Sequence, residues 1–267
     1  MKTKHTQLVS TRGPHEGFCN ICGQFSTLTD DHTPPKGAVK IGKVEMRHII
    51  HQLTAEKPVG KKRTSQNGVK YRTLCARCNN EILGHKYDPA FISFVNTVGS
   101  YLRTKVTLPP TLTISALPQK IMRSIIGHLT AQGVERHDFG KDTEAIRDYM
   151  LDSSRPLPEN VNIYYWIFPY TNQTLIRDCA YLDTPTGKSW LIWLMKFFPI
   201  AFMVVWDQPT DIVIRLPNLA AWRDIQVDEE REIPVILNQR VPQLWPEAPS
   251  DHSVLMYGKE ALVALAR

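Results

Sequence analysis

Two rhythms of hydrophobic and polar positions run through the second half of this 267-residue chain. From Gln119 to Gln132, Ile121, Met122, Ile125, Ile126 and Leu129 recur at helical spacing, after Pro118 and before Gly133, which predicts a helix. Asp142 is placed to cap a second helix running to Met150. Beyond Pro158 the period changes. Short β-branched and aromatic runs at 160–168, 175–182, 190–198, 200–206 and 211–216, parted by Pro, Gly, Asn and Asp, predict strands. Lys259 to Arg267 is predicted as a closing helix. Helices followed by a mainly antiparallel sheet make this half an α+β domain.

The first half has a different texture. Residues 1 to about 105 carry four of the five cysteines, and the double proline Pro109-Pro110 is the predicted boundary, giving segments 1–107 and 108–267. Ser189 to Trp206 is apolar enough to raise a membrane span, but Lys196 and Pro199 interrupt it and its length is marginal, so two buried strands joined by a turn are expected. No apolar run follows the basic start Met1-Lys2-Thr3-Lys4, which argues against a signal peptide and for a cytoplasmic protein with no membrane partner. Tyr164, Tyr165, Trp166, Trp190, Trp193 and Trp206 sit at strand spacing and are assigned to the core.

Composition sharpens this picture where it is uneven. The chain is 42% hydrophobic and 22% charged, a globular balance, with a net charge of +6. That charge is concentrated: residues 36–73 carry ten basic and two acidic side chains, a local +8, leaving −2 for the rest. Lys36, Lys57, Lys61, Lys62 and Arg63 are therefore the candidates for contact with a polyanion, although a charge run also suits a solvated loop. His48 and His51 within it read as ordinary polar residues.

Cys19-Asn20-Ile21-Cys22 and Cys75-Ala76-Arg77-Cys78 form two C-x-x-C pairs. In a reducing compartment this spacing favours one tetrahedral zinc over disulfides. Four thiolates leave no open position, so such a zinc is structural. The 52 residues between Cys22 and Cys75 exceed the usual gap of a compact zinc ribbon, so 36–73 is an insertion between the knuckles. Cys179 stands alone and reads as a small buried apolar side chain.

Each knuckle is followed by polar chemistry: Asp30-Asp31-His32-Thr33-Pro34-Pro35-Lys36 after the first, and Asn79-Asn80-Glu81 running to His85-Lys86-Tyr87-Asp88 after the second. A zinc shared by both pairs would draw Asp31, His32 and Asn79 to one place. Taken alone, Asp-His before Pro-Pro also suits a capped turn. The whole pattern, C-x-x-C, D-H, C-x-x-C-N, resembles the HNH, or ββα-metal, endonucleases in the branch whose finger is stapled by four cysteines, with a finger of the endonuclease VII kind. The resemblance covers about the first 95 residues.

It implies an N-terminal zinc-stapled ββα-metal finger ahead of the α+β domain, with His32 as general base and Asp31 and Asn79 as ligands of a catalytic magnesium or manganese ion. Each role suits its side chain: oxygen donors hold hard cations, and an imidazole is largely neutral near pH ~7. Asn80 and His85 compete with Asn79 as ligands, and Asp30 and Asp88 are candidates for orienting one. Many such fingers carry a further asparagine before the second knuckle; here Asn67 is the only nearby residue of that type. The implied activity is hydrolysis of DNA, with RNA open, in a setting such as phage defence, restriction or recombination. The second domain would serve substrate shape, dimerisation or a regulatory partner. The rival expectation is a zinc-containing nucleic-acid-binding protein without catalysis.

Overall fold

The computed structural model describes residues 9–53, 62–104, 107–138, 140–248 and 252–267. The chain opens with β1 (Glu16–Phe18) and β2 (Phe25–His32), joined by the first knuckle, whose tight turn uses Gly23 at φ 71°. There follow β3 (Val44–His48), the short α1 (Ile49–Leu53), β4 (Arg63–Ser65) and β5 (Lys70–Cys75). β1, β2 and β5 form a three-stranded antiparallel sheet. β5 ends in the second knuckle, from which a π-helical segment, Arg77–Tyr87, runs directly into α2 (Asp88–Thr104).

Past the proline pair come β6 (Thr111–Ala116), α3 (Pro118–Ala131) and α4 (Lys141–Leu151). The strand-rich part then supplies β7 (Val161–Ile167), β8 (Gln173–Asp183), β9 (Lys188–Phe197), β10 (Ile200–Trp206), β11 (Arg231–Ile236), β12 (Ser253–Met256) and β13 (Ala261–Ala266). Among the described residues, β4-β3-β13-β8-β9-β10-β7 lie side by side in one sheet, with β12 also on β8, and β6 pairs with β11. All of these pairings are antiparallel.

α3 is the hub. Every residue of it but Lys120 is buried, as expected of a helix packed on all sides. One core joins α2, α3 and the knuckles to the inner face of the large sheet; a second lies on its outer face, under the segments around Ile212 and Trp245. Ser189 to Trp206 forms β9 and β10, turning at the cis Phe198–Pro199 bond. No described helix is long and apolar enough to cross a membrane. Cys179 is fully buried, and the six aromatics assigned to the core are buried.

Three expectations are corrected. Residues 259–267 form β13 rather than a helix, because the gap between β3 and β8 offers backbone partners on both sides. Residues 211–216 make no strand; they wrap irregularly over the outer core, with Ile212, Ile214 and Leu216 packed inward. α4 begins at Lys141 behind Gly140 at φ 60°, so Asp142 lies in its first turn and does not cap it. The insertion also behaves as part of the second half's sheet: β3 and β4 join it through β13. The change of sequence texture near residue 108 thus falls on a connection between α2 and β6, while sheet and core run across it.

Candidate functional site

The four cysteines meet where β1, β2 and β5 converge. Their sulfurs lie within 4.8 Å of one another, and Cys22 Sγ to Cys75 Sγ is 3.8 Å. A tetrahedron with zinc–sulfur bonds of about 2.3 Å has an edge of about 3.8 Å, so the spacing fits zinc. The backbone supports the knuckles: Cys78 N–H donates to Cys75 Sγ, Cys19 N–H to Gln24 O and Gly23 N–H to Cys19 O. As protons alone the cluster is frustrated. A hydrogen bond from Cys78 draws Cys19 down to about 5, burial pushes Cys22 up to about 11, and the bond to Cys19 together with burial pushes Cys78 up. Four sulfurs this close are reconciled by a bound cation. Among the described residues this is the one group of three or more cysteine, histidine or carboxylate side chains placed to hold a metal.

Asn20, inside the first knuckle, ties the cluster to α3: its amide donates to Thr130 O and accepts from His137 N–H. Thr73 on β5 donates to Ala131 O. The cysteine cluster is therefore docked on the hub helix through the first knuckle and through β5, which leads into the second.

Asn79, one residue past the second knuckle, reaches the strand that carries Asp31 and His32. Its amide donates to Thr29 Oγ1 at 2.9 Å and to Asp30 O at 3.2 Å. Asp31 is buried, and its Oδ2 accepts from His128 Nδ1 at 2.9 Å and from Thr33 Oγ1 at 3.4 Å. The other nitrogen of His128 bonds Asp88 Oδ1 at 3.0 Å, which also accepts from Ser124. Burial alone would hold His128 neutral; Asp31 and Asp88 outweigh it and lift its pKa to about 10. The result is a buried imidazolium between two carboxylates, joining β2, α2 and α3. Burial pushes Asp88 up, but the charge and hydrogen bond of His128 bring it below the usual carboxylate range.

His32, next on the strand, is half-buried. Burial first, then the charge of Lys70, depresses its pKa, and Lys36 adds to this against Asp31. It is therefore neutral at pH ~7, the form that accepts a proton. Asn67 supports it through a backbone hydrogen bond. Asn80 is exposed, and His85 lines a cavity between α2 and β6. Asp30 is ion-paired with Lys70 and Arg72.

The basic insertion is partly neutralised. Glu45, buried on β3, takes ion pairs from Arg47, Lys62 and Arg267. Lys36 is exposed, and neither it nor Arg63 has an acidic partner among the described residues. Lys57 and Lys61 lie outside the described residues. What sequence reasoning missed is His128. Its signal was a lone histidine amid the apolar positions of a helix, which by itself says nothing of a partner. Compared with known proteins, the chain matches no family model, no curated protein and no solved structure.

Proposed function

We propose that this protein is a zinc-stapled, metal-dependent endonuclease of the HNH type acting on DNA. The observation that carries the reading is the contact of Asn79 with β2, which brings the first polar residue after one knuckle to the Asp31-His32 strand that follows the other. In this reading Asp31 and Asn79 hold a magnesium or manganese ion. Asp31 Oδ2 is fixed by His128 and Thr33, so Oδ1 is the oxygen for the cation; the Asn79 amide nitrogen is fixed on β2, which leaves its Oδ1 for the same task. Two protein oxygens suit magnesium, which keeps waters and takes up phosphate oxygens. The ion's chemistry would be to stabilise charge on the phosphate under attack and on the leaving oxygen. His32, neutral and half-buried, takes the proton of the attacking water, and Lys36 beside it favours the approach of a phosphodiester.

The rival reading, a zinc-bearing nucleic-acid-binding protein without catalysis, draws on the engagement of Asp31 with His128 inside the core. One experiment separates the two. Incubated with supercoiled plasmid and magnesium or manganese, the wild type should nick or cut it, and His32→Ala should lose on the order of 10²–10⁴-fold in rate, the usual contribution of a general base. Equal cutting by the variant would remove His32 from the mechanism. Binding without cutting across supercoiled, linear, branched and single-stranded substrates would favour the rival.

A further inference from the structure

A cleft of about 520 Å³ opens where residues 38–44 pass one end of β3, β13, β8 and β9 in the large sheet. Its lining includes Lys40, Lys43, Arg103 and Arg267, and no acidic side chain among the described residues. Arg267 is engaged by Glu45, whereas Lys40, Lys43 and Arg103 have no acidic partner among those residues. Lys40, Lys43 and Arg103 are all exposed. The Arg103 guanidinium carbon lies 4.7 Å from the ring centre of Phe198, so a cation–aromatic pair forms one wall. Thr171 and Gln173 add uncharged polar groups.

The cleft adjoins the proposed catalytic strand. Gly68, at φ 68°, fits between its wall and His32: a methyl group there would stand 3.3 Å from Ile41 Cδ1 and 3.9 Å from His32 Cδ2. Gly68 N–H also donates to Gly42 O. Three cations free of carboxylate partners, an aromatic ring in the wall and no acid in the lining among the described residues are what a groove that follows a nucleic-acid backbone requires.

We infer that this cleft is the track of the DNA strand, with Lys40, Lys43 and Arg103 contacting consecutive phosphates and leading the backbone past Gly68 to His32. The inference rests on the nuclease reading for its direction, but the binding it claims can be measured without cutting. It moves the main polyanion contact from Lys62, which is spent partly on Glu45, to the loop after Lys36 and the end of α2.

The test uses the full zinc-loaded chain carrying His32→Ala, and fluorescence anisotropy with labelled single-stranded and duplex DNA across a salt series. Replacing Lys40, Lys43 and Arg103 together by Gln should weaken binding at least 10-fold. It should also lower the slope of log K against log[salt] by about 2–3, at about 0.7–0.9 for each phosphate left without its cation. Lys62→Gln/Arg63→Gln serves as the comparison and should change the slope by less than the triple variant. Zinc content and the melting temperature show that each variant is folded. No measurable binding by the parent chain, or a triple variant that binds like its parent, would overturn the inference. Plasmid cutting by the wild type is scored separately: cutting that is indifferent to the triple variant removes the cleft and spares the nuclease, while cleft-dependent binding without cutting does the reverse.

Discussion

Lys196 is a lysine with no exposure at all, in the middle of β9. Its Nζ donates to both oxygens of Glu247 at 2.7 Å, to Gln243 O and to Trp245 O, and lies 4.8 Å from the centre of the Phe168 ring. The pair pins residues 243–247 over the outer core. Burial pushes Lys196 down and Glu247 up, so each group is held charged chiefly by the other. In Lys196→Met the Glu247 carboxylate and two backbone carbonyls lose the ammonium donor in a fully buried site. Breaking such a pair from one side costs about 3–5 kcal/mol. At about 2–4 °C per kcal/mol for a chain of roughly this size, the melting temperature should fall on the order of 10 °C. Glu247→Leu should cost a similar amount. The double variant Lys196→Met/Glu247→Leu removes both charges, and we expect it to return to within about 1 kcal/mol of the wild type, or above it. Urea unfolding followed by circular dichroism, in zinc-containing buffer, supplies all four corners of the cycle. Single variants costing under about 1 kcal/mol, or a double variant equal to the sum of the singles, would refute the reasoning.

Two further outcomes follow from the buried groups in and around the four-cysteine cluster. His128, with its pKa raised to about 10 from an ordinary value near 6.5, stabilises the fold fully below pH ~6.5 and loses that contribution as pH rises to about 10. The fall amounts to about 5 kcal/mol at about 1.36 kcal/mol per unit, and the pH profile of unfolding free energy in His128→Gln, without added magnesium or manganese, should lack it. Identical profiles would show that the His128 imidazole is not protonated in the fold. The purified chain should carry about one zinc per molecule, released by a strong chelator with a lower melting temperature, and Cys75→Ser should lose most of it; a dye assay for released zinc reads both, and unchanged zinc in the variant would exclude the cluster as the site.

Local rules recovered much of the frame. The spacing of Cys19, Cys22, Cys75 and Cys78 was enough to place them together, because two ligands two residues apart already define an edge of a tetrahedron. The apolar stripe from Ile121 to Leu129 and the β-branched runs fell on α3 and on β7 to β10 within a few residues. The failures came where partners distant in sequence decide. Ala261-Leu262-Val263-Ala264 has helix-forming residues, yet the open slot between β3 and β8 needs hydrogen bonds along both edges, and tertiary pairing outweighs propensity. Asp31 was legible as chemistry but not as a buried partner of His128, since 97 positions separate them. Asp88, named only as a residue that orients another, reaches Asp31 through that same imidazole.

The place of β13 governs the order in which the chain assembles. It is an interior rung, so β3 and β4, made early during synthesis, have no sheet to join until residues 261–266 emerge and pair Leu262 with both His48 and Leu175. Until then the early hairpin exposes an unpaired edge, and closing the sheet waits for segments as distant in sequence as His48 and Leu262 to meet, which is slow by the statistics of loop closure. Deleting β13 would accordingly split the sheet in two, parting β3 and β4 from β8 and leaving the segment that links the knuckles joined to the rest through core packing and contacts such as Asn96 to Gly37 O.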